Sequence, residues 1–130
     1  MNEWKIMMKK RAITCLLSLL STHPSTHAGE ADVVDVAVKN RGANIYDFSV
    51  TVMHQDTGWD HYANRWEVLD EKGVILGTRT LHHPHVNEQP FTRRLSGIHI
   101  PSEIKSVVIR SHDSVHKFGG ATVTVQLPMN

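Results

Sequence analysis

Hydrophobic and polar residues alternate along most of the chain after residue 32, and one hairpin lies at the centre of this pattern. Residues 58–81 predict a loop, a strand around Trp66, a tight turn at residues 70–73 and an antiparallel return strand. Alternate positions share one face of a strand, so the predicted core face is Tyr62, Asn64, Trp66 and Val68. The predicted outward face is then Ala63, Arg65, Glu67 and Leu69.

Five further segments with strand character flank this hairpin. Residues 32–39 predict an edge strand whose inward positions are Val34, Val36 and Val38. Residues 45–54 carry the most regular alternation, with Tyr46, Phe48, Val50 and Val52 inward. Residues 91–100 predict a strand bent near Gly97, because the apolar parity switches there. The last two predicted strands are residues 105–112 and 121–127.

These segments predict an all-β fold, since no helical periodicity occurs after residue 28. Seven short strands with a buried tryptophan in the third are typical of an immunoglobulin or fibronectin type III-like sandwich. The predicted arrangement places the first, second and fifth strands in one sheet, and the fourth, third, sixth and seventh in the other. A small up-and-down barrel is the alternative.

The first 28 residues have the features of a secretory signal peptide. A basic segment precedes a short apolar core, and Thr26-His27-Ala28 matches the small-x-small cleavage pattern. Cleavage after Ala28 would leave residues 29–130 as a single domain of 102 residues. Cys15 lies too early in the apolar core to be a lipid-attachment site, so a lipoprotein is not expected. The predicted location is the periplasm, or outside the cell.

Leader removal reverses the sign of the net charge. The whole chain carries a formal charge of +1, but residues 29–130 hold 10 Lys/Arg and 12 Asp/Glu, which gives −2. This balance excludes a basic surface for nucleic acid, and no membrane insertion is expected after leader removal. Residues 29–130 also contain no cysteine, so the core must stabilise the domain without disulfides.

Histidines are the most informative residues for function. Eight of the 10 lie after residue 28. In the predicted sandwich only His99 belongs to one pole. The opposite pole receives His54, His61, His82, His83, His85, His112 and His116.

Neutral imidazole is a common ligand for copper and zinc, so this pole is a candidate metal site. His83 and His85 form an H-x-H pair, while His112 and His116 span the last turn, and these four are the predicted shared ligands. His54 and His61 are alternative ligands. The carboxylates expected nearby, as ligands or as groups that orient them, are Asp56, Asp60, Glu88 and Asp113. Solvated or partner-contacting histidines, and pH sensing, are the competing interpretations.

Trp59 and His82 are candidate partner-binding residues on the same loops. Trp59 is interpreted either as an exposed recognition aromatic or as a cover for one end of the core. We do not expect an enzyme, because the sequence shows neither a nucleophile elbow nor a paired acidic motif.

The segments GWDHYANRWEV, LHHPHVNEQPFTR and SHDSVHKFGG resemble a group of small, uncharacterised exported bacterial proteins. The predicted architecture is also similar to that of periplasmic copper carriers, although the chain has no Met-rich segment and no histidine at the expected mature N-terminus. The resemblance implies an exported β-sandwich but no specific activity. The resulting interpretation is a binding or accessory module with an unknown partner, such as an envelope protein. The alternative is a copper- or zinc-binding, or metal-delivery, protein.

Overall fold

Seven strands form the fold of residues 29–129, which a computed structural model of the chain describes. The strands are β1 (Asp32–Gly42), β2 (Ile45–Met53), β3 (Ala63–Leu69), β4 (Ile75–Thr80), β5 (Phe91–His99), β6 (Ser106–Asp113) and β7 (Val123–Gln126). The first sheet has the order β1-β2-β5 and the second the order β4-β3-β6-β7, with antiparallel pairs throughout. This is the predicted division of strands. The predicted signal peptide and Cys15 lie outside the described residues.

One hydrophobic core joins the two sheets. Phe48, Val50 and Val52 of β2 are fully buried, as the alternation of residues 45–54 predicts. They share a cluster with Trp66 of β3 and Ile109 of β6, which are also fully buried. Because each fully buried side chain of this kind stabilises the fold by about 1.5–3 kcal/mol, the facing sheets are held together as a sandwich-like pair.

A register shift in β3 corrects the predicted core face. Trp66 and Val68 are buried as expected, but pairing with β6 shifts between Ala63 and Arg65. An extra residue in one strand reverses the facing of the residues beyond it. Ala63 is therefore in the core, whereas the predicted inward residues Tyr62 and Asn64 lie outside it.

A register shift also corrects the predicted inward face of β1. Its pairing with β2 shifts between Val33 and Asp35, so Val33 is buried and the predicted inward Val34 is 47% exposed. β1 is nevertheless an edge strand, as predicted.

The bend predicted in β5 is present at Gly97. This glycine has a φ of +75°, a left-handed conformation that side chains disfavour, and the β2–β5 register shifts between Tyr46 and Phe48 opposite it. Its amide donates to Asp47 Oδ1 at 3.0 Å. This hydrogen bond, together with hydrogen bonds from Arg41 and Arg94, lowers the pKa of Asp47 to about 2.

Three connections, β2–β3, β4–β5 and β6–β7, meet at one end of the sheets, as the sequence predicts. Asp56, after β2, accepts a hydrogen bond from the amide of His85 in the β4–β5 connection. His61, before β3, lies against Asp113 at the end of β6. Residues 29–129 contain no long apolar helix of the kind that crosses a membrane.

Candidate metal centre

Three buried or half-buried side chains bring their donor atoms together at this pole. His54 follows β2, His61 precedes β3, and Asp113 is the last residue of β6. Nε2 of His54 lies 3.2 Å from Nε2 of His61, and that nitrogen lies 3.1 Å from Asp113 Oδ1. Within residues 29–129 these three form a group of potential metal ligands whose donor atoms all lie within 4.8 Å of one another.

His116 extends the group toward solvent. Its Nδ1 lies 3.3 Å from Asp113 Oδ1, and its ring centroid is 4.9 Å from that of His61. Asp113 Oδ1 also accepts hydrogen bonds from the amides of Val115 and His116 at 2.9 and 2.7 Å. The carboxylate therefore fixes the turn that carries His116, so that His116 lies beside Asp113 and His61.

Asp56 orients the imidazole of His54. Its Oδ1 accepts from His54 Nδ1 and from the amide of Ala63, while its Oδ2 accepts from the amide of His85 at 2.7 Å. Since Asp56 occupies Nδ1, neutral His54 presents the lone pair of Nε2 to His61. This is the usual orientation of a metal-binding histidine.

The surroundings of His54 Nε2 are rich in electron pairs. Besides His61, the nitrogen faces the carbonyl oxygen of Gly29 at 2.9 Å. Neutral His54 has no hydrogen left on Nε2 to donate to either atom. Either a proton or a cation must therefore occupy this space for the contacts to be attractive.

The surroundings of the group shift two pKa values in opposite directions, and both shifts favour the charged form. Burial alone would lower the pKa of His54, but the hydrogen bond and charge of Asp56 and the charge of Asp113 raise it above its usual value. Burial opposes ionisation of Asp113, yet amide hydrogen bonds and the neighbouring histidines lower its pKa. The net effect favours a positive charge beside an ionised carboxylate.

Asp113 also has an unused acceptor. Its Oδ2 is buried and makes no hydrogen bond within the described residues. Burying a carboxylate oxygen without a partner is costly, whereas coordination of a cation would satisfy it.

The spacing of the donors fits a single coordination sphere. Neighbouring ligands at about 2.1 Å from an ion are separated by about 3.0 Å at right angles and about 3.4 Å in a tetrahedron. The separations here are 3.2 Å for His54 to His61, 3.1 Å for His61 to Asp113 and 3.3 Å for Asp113 to His116. His54, His61 and Asp113 therefore fit one transition-metal ion, and His116 lies beside Asp113 on the solvent side of the group.

The structure does not bring His83 and His85 into this group, which corrects their predicted role as principal ligands. His85 stacks on Phe91 with ring centroids 4.0 Å apart, and its Nε2 accepts from Arg93 at 2.9 Å. Its Nδ1 lies 4.0 Å from Asp56 Oδ2. His85 is thus behind Asp56, while exposed His83 packs beside His85 at 4.6 Å between ring centroids.

His112 is likewise separate from the group. Consecutive residues of a strand point to opposite faces, so His112 points away from the side chain of Asp113. Its Nδ1 lies 2.6 Å from Asn64 Oδ1, and its ring contacts Phe118. Of the four predicted shared ligands, only His116 adjoins the group, and the alternative ligands His54 and His61 form its centre together with Asp113.

The candidate partner-binding residues are exposed. Trp59 is 67% exposed and contacts Tyr62 edge to face, so it does not cover the core. His82 is exposed after β4. The Gly29 carbonyl is the group near the site that the sequence did not suggest, because a backbone oxygen has no residue-specific signal.

Comparison with known proteins adds a relative and a fold neighbour. No protein-family model matches the chain. A protein of Halomicrobium mukohataei named "Putative lipoprotein" is 43% identical over 96 residues, which cover 74% of this chain and 47% of the relative. The chain thus spans about half the length of that relative. The fold is similar to the crystal structure of a hypothetical protein from Pyrococcus horikoshii, with a TM-score of 0.52, 15% identity and coverage of 78% and 93% of the two chains.

Proposed function

We propose that the chain is a small exported protein that binds one divalent transition-metal ion through His54, His61, His116 and Asp113. The observation that carries the proposal is the contact between the two imidazole Nε2 atoms at 3.2 Å, beside a buried carboxylate. Asp56 accepts a hydrogen bond from Nδ1 of His54 and so keeps the hydrogen of the neutral ring on that atom, which leaves the lone pair of Nε2 directed at His61.

Three nitrogens and one carboxylate oxygen favour borderline metal ions. This donor set suits zinc and copper(II), whereas the hard ions calcium and magnesium prefer oxygen ligands throughout. The side chain of His116 is 36% exposed, while those of His54 and Asp113 are fully buried. The ion would therefore enter and leave on the His116 side.

Export is supported by two independent features. The first 28 residues have the order of a signal peptide. The relative from Halomicrobium mukohataei is named a lipoprotein, a class attached to membranes outside the cytoplasm. We place this chain in the periplasm or outside the cell. The strand order β1-β2-β5 and β4-β3-β6-β7 supports a sandwich of the fibronectin type III kind.

The proposed role is binding or delivery of the ion rather than catalysis. The polar groups that contact the four side chains include Asp56, the Gly29 carbonyl and main-chain amides, which orient donor atoms. An accessory role with an envelope partner is the second candidate. It is favoured by Trp59, which is exposed on the same connection that carries His61.

Metal analysis of tag-free protein tests the proposal. We expect one zinc or copper ion per chain, and a loss of affinity of at least about 100-fold in His54→Ala and His61→Ala. His99→Ala is the matched control, because His99 ends β5 away from the group. Binding that is unchanged in His54→Ala, or no stoichiometric binding at all, would overturn the proposal.

The accessory role has a separate test. A photo-crosslinking residue at position 59 should capture a discrete envelope protein in cells, and one at exposed Lys72, on the turn after β3, should not. Equal crosslinking from both positions would remove the argument from Trp59. Trp59→Ala should leave metal affinity unchanged, which keeps the two functions distinguishable.

A further inference from the structure

The main chain in front of β1 reaches the proposed metal centre. The carbonyl oxygen of Gly29 lies 2.9 Å from His54 Nε2, the same nitrogen that faces His61 at 3.2 Å. Because Asp56 occupies Nδ1 of His54, the neutral ring offers the carbonyl no hydrogen. A protonated His54 would donate to this carbonyl, whereas beside the neutral ring the oxygen is placed as a neighbouring ligand of a shared ion would be.

Hydrogen bonds hold this segment against the connection that follows β6. The amide of Val33 donates to the carbonyl of Ala121 at 2.8 Å, and the amide of Ala121 donates to Asp32 Oδ1 at 2.7 Å. Ala31 is buried between these contacts, with 1% of its surface exposed. These contacts fix the main chain at residues 31–33, shortly after Gly29.

Gly120 makes this close approach possible. A Cβ atom at position 120 would lie 2.0 Å from the carbonyl oxygen of Ala31, which is far inside contact distance. Any larger residue would push the segment away from the connection between β6 and β7. The glycine pair at positions 119 and 120 therefore allows the chain before β1 to lie beside the loop that carries His116.

We propose that the carbonyl oxygen of Gly29 is a fifth ligand of the metal ion, adjacent to His54 in the coordination sphere. The inference rests on the proposed metal-binding function and deepens it. A 2.9 Å separation between oxygen and nitrogen matches neighbouring ligands at about 2.1 Å from one ion. The site then has three nitrogen and two oxygen donors, and the segment before β1 belongs to it.

Selective isotope labelling reports on this carbonyl without altering the site. Gly29-Glu30 is the only Gly-Glu pair in the sequence, so protein made with ¹³C-carbonyl glycine and ¹⁵N glutamate gives one carbonyl-to-amide correlation for it. Zinc titration should move this ¹³C resonance in step with loading of the histidines. An unmoved resonance, in protein whose zinc binding depends on His54, would overturn the fifth ligand while leaving the metal site intact.

Displacing the segment provides the affinity test. Gly120→Ala should weaken zinc binding about tenfold or more, because the added Cβ drives Ala31, and with it Gly29, away from the site. A chain that begins at Ala31 lacks Gly29 and should show a similar loss of zinc affinity. Its N-terminus is acetylated so that no new amine can act as a ligand. This shorter chain provides the test if Gly120→Ala does not fold. Its reference is the equally acetylated chain that begins at Gly29. Unchanged affinity in the shorter chain would contradict the inference, and absence of zinc binding in the reference would overturn both proposals.

Discussion

Asp56 and His54 form a fully buried pair in which Oδ1 of the carboxylate lies 2.5 Å from Nδ1 of the imidazole. The carboxylate is held in turn by the amides of Ala63 and His85. The ring therefore has one orientation and, when neutral, one tautomer. In the neutral ring, the lone pair of Nε2 is then directed at His61.

Asp56→Asn should reduce metal affinity by about 10- to 100-fold. The amide side chain has the same shape, but it cannot act as an ionised acceptor for both His54 Nδ1 and the two main-chain amides. Isothermal titration with zinc measures the change. Asp60→Asn is the control, because Asp60 is exposed in the same connection, and equal losses in the two variants would contradict the positioning role.

Trp66→Ala should destabilise the domain by about 3–5 kcal/mol, since it empties the largest fully buried side-chain volume of the core. Such a loss is a large part of the usual free energy of unfolding, which is about 5–15 kcal/mol. Urea denaturation measures the effect. Trp59→Ala is the matched variant and should stay within about 0.5 kcal/mol, because Trp59 is 67% exposed. Similar costs for the two variants would mean that the core is not centred on Trp66.

Asp47 should make stability depend on pH in the acid range. Its pKa is lowered to about 2 by the amide of Gly97 and by Arg41 and Arg94. A carboxyl group with a lowered pKa in the folded state stabilises the fold above its unfolded pKa of about 3.9, and this contribution disappears as pH falls toward 2.

The measurement is urea denaturation at a series of pH values between about 4 and 2. Asp47→Asn should flatten the pH dependence in this window and leave it unchanged near neutrality. Asp35→Asn, on β1 at an exposed position, is the control and should retain the wild-type slope. Parallel curves for wild type and Asp47→Asn would contradict the assignment.

Strand order could be predicted from the sequence because alternation, turn residues and Trp66 all agree. The residues that face the core near the start of β1 and the start of β3 could not be predicted. The bulges at Val33/Asp35 and Ala63/Arg65 each insert one residue, which moves the neighbouring side chains to the opposite face of the sheet. The alternation of residue types does not show where such an insertion occurs. Gly97 was predictable because its bulge changes parity within an apolar strand.

The site was predicted only in part, and for a physical reason. The H-x-H spacing of His83 and His85 is typical of ligand pairs, but stacking on Phe91 and the hydrogen bond from Arg93 place His85 behind Asp56. The grouping of His54 with Asp113 depends on the ends of β2 and β6 meeting across two sheets. Spacing along the chain contains no information about that distance.

The proposed ion would be a cross-link between the two sheets. His54 follows a strand of the first sheet and Asp113 ends a strand of the second, so coordination closes a long loop of chain in a domain whose residues 29–130 contain no cysteine. Native-state binding at a free ion concentration 100 times Kd would add about 2.7 kcal/mol to the free energy of unfolding. Resistance of the protein to heat and proteolysis would then follow the availability of metal in its compartment.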